Sequence, residues 1–221
     1  MNVLIVGLGY IGLPSAAIMA DHGLNVKGFD TNKNIVDIIS RGSTHIVEHG
    51  LEQLVKKGID SGHLSAVENA RRADVYIIAV PTPLNDDKKP DLTYLYSAIT
   101  SIAPHLNKGA LVIIESTIPV GTTEKLTLML QEARADLRFP ILDEVDVGLV
   151  DVHITHCPER VLPGRILEEL IANDRIIGGL TDVCAQRAKK FYERFVKGKI
   201  LTTSARTAEL CKLAENSYRD V

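Results

Sequence analysis

The sequence predicts an α/β chain built on a doubly wound, mostly parallel sheet, and three observations carry that prediction. Short β-rich runs alternate with longer amphipathic stretches along all 221 residues, the pattern of parallel strands joined by crossover helices. Several runs (VLIV, VYIIAV, LVII) are almost continuously apolar, as strands must be when helices cover both faces of a sheet. The first strand also passes directly into a glycine-rich turn, GLGYIGLP, that opens a helix.

Taken in order, strands are expected at 2–6, 26–29, 75–80, 111–115, 152–156, 175–177 and 199–201, and helices at 11–21, 33–40, 92–103, 122–132 and 183–195. Residues 134–148 (RADLRFPILDEVDVG) have weak periodicity and read as a long surface connection. Near the end, Ser204 reads as an N-cap and 208–220 as a helix. The expected division is a domain at 1–203 followed by the start of a linking helix at 204–221.

Composition narrows the function classes. A net charge of −3, with 45% hydrophobic and 24% charged residues, is that of an ordinary globular chain. No basic excess points to nucleic acid, and no apolar run is long enough to span a membrane. The amino terminus lacks a basic, then apolar, cleavable leader, so a cytoplasmic location is expected. Three scattered cysteines fit reduced thiols, with no CxxC or His/Cys cluster for a metal.

The Gly7-x-Gly9-x-x-Gly12 spacing is weak by itself but stands in the strand-to-helix context that a dinucleotide site requires. Gly7 permits the tight turn, Gly9 lets main chain approach a pyrophosphate, and Gly12 lets the helix pack on the strand. Tyr10 and Ile11 complete the turn, and Pro14 falls in the first helical turn, where a missing N–H costs little. The second strand ends at Asp30, whose carboxylate suits a ribose diol and repels a 2′-phosphate. NAD is therefore expected over NADP, with nearby Lys33 as a counter-indication. The fold is thus of the Rossmann type.

Three further motifs end predicted strands: Val80-Pro81-Thr82-Pro83, then Glu115-Ser116-Thr117-Ile118-Pro119-Val120-Gly121-Thr122, then Cys157-Pro158-Glu159-Arg160-Val161-Leu162-Pro163-Gly164. Each alone reads equally well as a turn, a helix cap or, for Cys157, a small buried hydrophobe. Together they crowd the carboxyl edge of the sheet, where doubly wound folds bind ligands.

In this order, GLGYIGLP, VPTP, ESTIPVGT and CPERVLPG resemble the UDP-sugar dehydrogenases, which oxidise a C6 alcohol to a carboxylate. More narrowly, THIVEHGL, CPERVLPG and NDRIIGG are similar to the branch that acts on UDP-N-acetyl-D-mannosamine. His49 departs from it, standing where a proline is usual. The resemblance covers the whole chain and implies an NAD-dependent oxidoreductase serving polysaccharide biosynthesis and acting as a homodimer at full length. Two hydride transfers to two NAD molecules are implied, through a cysteine-bound thiohemiacetal and thioester. Val80, Pro81, Thr82 and Thr117 would lie along the cofactor, Glu159 would assist the water that hydrolyses the thioester, and Thr117 would help order that water or the nicotinamide end.

In SARTAELCKLAENSYRDV, Lys212 and Asn216 are four apart and share a helix face. On spacing alone that is a solvated surface; the resemblance implies that both hold a developing oxyanion. It also implies a nucleophilic cysteine in a glycine-rich motif beyond this stretch. Cys157, Cys184 and Cys211 offer no convincing substitute: Cys184 reads as the start of a surface helix, and Cys211 points away from Lys212. Leu210, Leu213, Ala214 and Tyr218 form an apolar stripe in want of a partner. The expectation is a cofactor domain, cut within its linking helix, that binds NAD without turnover. Two rival readings stand beside it: a 3-hydroxyacid or 6-phosphogluconate-type dehydrogenase, and a non-catalytic NAD-binding module.

Overall fold

A computed structural model of the chain describes residues 1–141 and 150–220. Eight strands form one sheet among the described residues, in the order β3-β2-β1-β4-β5-β6-β7-β8. The amino-terminal half supplies β1 (Asn2–Val6), α1 (Gly12–Asp21), β2 (Asn25–Phe29), α2 (Lys33–Ser40), α3 (Leu51–Asp60), β3 (Leu64–Val67), β4 (Val75–Ile78) and α4 (Thr93–Ile102). The rest supplies β5 (Ala110–Ile114), α5 (Thr122–Ala133), β6 (Val152–His156), α6 (Ile166–Ala172), β7 (Arg175–Gly179), α7 (Asp182–Tyr192), β8 (Ile200–Ser204) and α8 (Ala205–Asp220).

Strand alternation explains the two-layered core. In β1, Val3 and Ile5 join the core under α1, α3, α6 and α7, while Leu4 and Val6 join the opposite core under α4 and α5. β4 divides likewise, Val75 and Ile77 to one side and Tyr76 and Ile78 to the other. Residues of period two facing two helical layers are what the near-continuous apolar runs require. Neighbouring β1 and β4 lead to crossovers on opposite sides, which opens a crevice at their carboxyl ends.

Strands β1 to β6 are parallel, but β7 pairs antiparallel with β6, His156 opposite Gly178, and β8 then runs parallel to β7. The beginning of β7 therefore lies at the edge where β6 ends. Helix α8 leaves the end of β8 and packs across β7 and β6. Both consequences bear on the site.

Four details differ from the sequence expectation. Helix α3, strand β3 and helix α6 were not predicted; β3 is a four-residue edge strand with only Leu64 buried, so alternation barely registers. Strands β4 and β5 stop at Ile78 and Ile114, leaving Val80 and Glu115 in the loops beyond. Part of the segment read as a surface connection is anchored: Leu137 and Phe139 are buried, and the Arg134 guanidinium donates to the carbonyls of Ala103 and Leu106. Residues 142–149 of that segment lie outside the described residues. Cys184 begins a surface helix yet is itself buried, 3.7 Å from His153 Nδ1, because α7 turns that face to the sheet.

Ser204 does cap α8, its Oγ accepting from Thr207 N at 3.2 Å. The stripe on α8 stays open to solvent, with Leu210 56% and Tyr218 87% exposed. Among the described residues no helix is long and apolar enough to cross a membrane, and no group of three or more His, Cys, Asp or Glu could hold a metal ion.

Candidate active site

The loops at the carboxyl edge enclose one cavity of about 840 Å³. Its walls collect Gly7, Gly9, Tyr10 and Ile11 after β1, Asp30 after β2, Val80, Pro81 and Thr82 after β4, and Thr117 after β5. Glu159, after β6, and Lys212, on α8, close its inner end.

The glycine turn is set by contact distances. Gly7 has φ +92°, and a Cβ there would stand 2.7 Å from the Ala79 carbonyl oxygen. A Cβ on Gly12 would stand 1.8 Å from the Gly7 carbonyl oxygen and 3.3 Å from Ile5 Cγ2. Gly12 thus seats α1 on β1 and does not itself line the cavity. At Gly9 no atom lies within 4 Å of a Cβ position, so main chain is bare toward the cavity, as a pyrophosphate requires.

Asp30 is already engaged. Its Oδ2 accepts from Leu8 N at 2.9 Å and its Oδ1 from Asn32 N at 2.8 Å. The carboxylate is thereby aimed by the turn it faces, and each oxygen keeps a lone pair for a diol. Lys33 is exposed in the first turn of α2. Across the cavity, Ser116 Oγ donates to the Val80 carbonyl and Thr82 Oγ1 to the Thr117 carbonyl, both at 2.7 Å. The VPTP and ESTIPVGT loops are therefore stitched together. Open main chain at Gly9, a fixed carboxylate at Asp30 and this volume fit a dinucleotide.

At the inner end sits a buried charge cluster that sequence reasoning missed. Arg175 Nη1 lies 3.0 Å from Glu159 Oε2 and 3.8 Å from Glu115 Oε1. Its guanidinium stacks 4.7 Å from the Tyr192 ring centroid, and Nη2 donates to the Leu170 carbonyl. Tyr192 in turn donates its hydroxyl to Glu115 Oε1 at 2.7 Å. All four residues are under 9% exposed. Reversal of β7 brings Arg175 here, since that strand begins at the edge where CPERVLPG starts. Burial pushes the Glu115 carboxyl up to about 7, with Arg175 pulling it down and Glu159 pushing it further up.

Lys212 is half-buried, and its Nζ donates to the main-chain oxygen of Glu159. Burial lowers its pKa, with Glu215 working in the opposite direction. Asn216, one turn along α8, lies outside this cavity, and its Oδ1 accepts from Arg219 Nη2 at 3.2 Å. Spacing puts Lys212 and Asn216 on one face of α8, and of the two only Lys212 lines this cavity. Cys157 is fully buried, and burial raises its thiol to about 12, which removes it as a thiolate nucleophile.

Further hydrogen bonds join distant motifs. Glu48, in THIVEHGL, accepts from Gly164 N at 2.8 Å and Ile166 N at 2.9 Å, capping α6 just after CPERVLPG. Asn173, in NDRIIGG, donates to the Arg160 carbonyl at 3.0 Å, and Arg160 pairs with Glu215 of α8 at 2.9 Å. The three stretches singled out in sequence are thus one connected wall. The signal was their joint resemblance; nothing in the spacing announced their contact.

Comparison with known proteins follows this geometry. Residues 1–196 match the UDP-glucose/GDP-mannose dehydrogenase family, NAD binding domain. The chain is 53% identical over 221 residues to UDP-N-acetyl-D-mannosamine dehydrogenase of Escherichia coli (strain K12), covering 100% of this chain and 52% of the relative. It is 50% identical over 221 residues to NDP-N-acetyl-D-galactosaminuronic acid dehydrogenase of Ralstonia solanacearum, covering 100% and 51%. The native structure of a UDP-N-acetyl-mannosamine dehydrogenase from Staphylococcus aureus superposes with a TM-score of 0.91 at 42% identity, covering 100% and 52%. The chain spans about half the length of the curated relatives it matches.

Proposed function

This chain belongs to the UDP-glucose/GDP-mannose dehydrogenase family as its NAD-binding domain, and from that premise we propose that the whole protein oxidises UDP-N-acetyl-D-mannosamine at C6. The product is the uronate, formed in two NAD-dependent steps. One observation carries the reading: the glycine turn, Asp30, Thr117, Glu159 and Lys212 share a single cavity. The names of the Escherichia coli and Staphylococcus aureus relatives support the choice of sugar.

Gly7 and Gly9, with Tyr10 and Ile11, would hold the pyrophosphate against the start of α1, which Gly12 seats. Asp30 would accept from the ribose diol. Val80, Pro81, Thr82 and Thr117 would flank the nicotinamide end. NAD bound there supplies the hydride acceptor. The Lys212 ammonium, held on the Glu159 carbonyl beside the cavity, would stabilise an oxyanion there as a positive charge of fixed position. Glu159 draws a proton from the hydrolytic water; Arg175 and the Arg160 N–H hold that carboxylate in place. Asn216, which does not line this cavity, would hold the same oxygen with Lys212 only when the substrate extends past it along α8. Residues 204–221 would begin a helix linking 1–203 to a second domain, in a cytoplasmic homodimer serving polysaccharide biosynthesis.

The decisive experiment is turnover of the whole protein on a panel of nucleotide sugars, counting NADH formed per sugar. Two NADH with UDP-N-acetyl-D-mannosamine preferred is the expected result. One NADH per substrate would sink the four-electron reading. Because the Ralstonia solanacearum relative is nearly as similar, preference for an N-acetylgalactosamine nucleotide would redirect the sugar assignment while keeping the chemistry.

A further inference from the structure

Two carboxyl groups and one guanidinium share the inner end of the cavity, and they are unequally served. Glu159 has Arg175 Nη1 at 3.0 Å from Oε2, the Arg160 N–H at 2.6 Å from Oε1, and the Lys212 ammonium on its own carbonyl. Glu115 has only the Tyr192 hydroxyl on Oε1, with the same Arg175 nitrogen at 3.8 Å. Its Oε2 is buried and without a hydrogen-bond partner; Glu159 Oε2 has none either, but the guanidinium charge stands 3.0 Å from it, and both residues line the cavity. The Glu115 side chain is 1% exposed.

A buried carboxylate with one bare oxygen is among the costliest polar arrangements a protein can hold. Protonated, the same oxygen becomes a donor, on a residue that lines the cavity. One guanidinium neutralises one carboxylate, and the shorter contact gives it to Glu159. The Tyr192 hydroxyl fits either form of Glu115, because it donates to the oxygen that stays a carbonyl.

We propose that Glu115 is a neutral carboxylic acid in the resting site, that its Oε2–H is a hydrogen-bond donor to the cofactor end filling the inner cavity, and that Glu159 alone carries the negative charge. The groups facing Glu115 are Arg175 from β7, Tyr192 from α7, and Cys157 and Glu159 from the end of β6 and the loop beyond. Their net effect with burial is a carboxyl that stays protonated up to about pH 7. A carboxylic acid kept neutral by an apolar site so that it can donate is a known catalytic device. It makes Glu115 a binding residue of the cavity that Lys212 also lines. The donor role rests on the proposed NAD site; the protonation state does not.

Infrared spectroscopy of the 221-residue chain tests both parts. At about pH 6, where exposed carboxyls are ionised, the native chain should show the carbonyl stretch of a protonated carboxylic acid. E115Q should lose it, and E159Q, which removes the charge that raises Glu115 and leaves Arg175 to it, should weaken it. Absence of the band in the native chain, or its survival in E115Q, overturns the proposal. Adding NAD to the native chain needs no variant, and should shift the band to lower frequency as the donor engages; an unshifted band with NAD bound overturns the donor role. Calorimetry on the same samples separates the two readings, since failure to bind NAD removes the cofactor site but leaves the band to be judged. Among variants, E115Q keeps a donor and should bind NAD within about threefold of native, while E115M should bind about tenfold more weakly. Native affinity in E115M counts against the contact.

Discussion

Glu209 Oε1 takes two hydrogen bonds from Thr123, from its N–H at 2.8 Å and its hydroxyl at 2.6 Å, while Oε2 takes the Gly121 N–H at 2.6 Å. Gly121 has no side chain to cap α5. The last helix therefore supplies a fully buried cap and a negative charge at the amino end of a helix, to a residue 86 positions earlier in the chain. Lys212 lies one turn along from Glu209, and Thr117 lies just before the capped turn. This one carboxylate fixes the two relative to each other.

Removing it should be expensive. Glu209→Ala leaves buried N–H donors without acceptors, and we expect a loss of roughly 3 kcal/mol in urea unfolding. Glu209→Gln, which retains one acceptor, should lose less. Equal stability of Glu209→Ala and the native chain would show that the cap carries no load.

The glycines of the first turn should separate into folding and binding roles. Gly12→Ala places a methyl group 1.8 Å from the Gly7 carbonyl oxygen, so destabilisation of about 3 kcal/mol or more is expected. Gly9→Ala meets no atom within 4 Å and should leave the unfolding free energy within about 0.5 kcal/mol. It should nonetheless weaken NAD binding, measured by calorimetry. Similar unfolding curves for the two variants would refute this division.

Asp30 should set cofactor affinity. Asp30→Ala loses the diol acceptor and frees the Leu8 N–H, so a loss of at least about tenfold in NAD affinity is expected. Lys33→Ala should change it less than about threefold. If the lysine variant instead loses NADP binding that the native chain possesses, the cofactor preference has been misjudged.

The Glu115 contribution to stability should fall with rising pH across one window. The Glu115 carboxyl is raised by burial from 4.5 to about 7, so between those values the folded chain binds more protons than the unfolded one. Its contribution is whole below about pH 4.5 and is lost as pH rises through about 7, by up to about 3 kcal/mol. Urea midpoints of the native chain and E115Q, compared from about pH 5 to 8, should converge at the acid end and separate at the basic end. Parallel curves would contradict it.

Much of this fold is legible in the residues because strong periods leave little choice. The apolar runs of β1, β4 and β5 can only be doubly covered strands, and GLGYIGLP can only turn from strand to helix. Helix α3 was missed because its buried positions, Leu51, Val55 and Gly58, include a glycine and are outnumbered by charges. Helix α6 has seven residues, two of them acidic in its first turn. The site divided in the same way. Strand ends announce loop residues such as Thr82 and Thr117. Burial of Glu115, Arg175 and Glu209 is decided by partners far along the chain, and a charged side chain carries no local mark of whether its partner waits indoors.

The stitched loops have a consequence for binding entropy. Ser116 and Thr82 spend their hydroxyls on the opposite loop's carbonyls, so VPTP and ESTIPVGT, with prolines at 81, 83 and 119, form a single stiff wall. The conformational freedom of those residues is surrendered when the chain folds rather than when a ligand arrives. A ligand lying along that wall meets a surface already set, and its contacts go to affinity instead of ordering the protein.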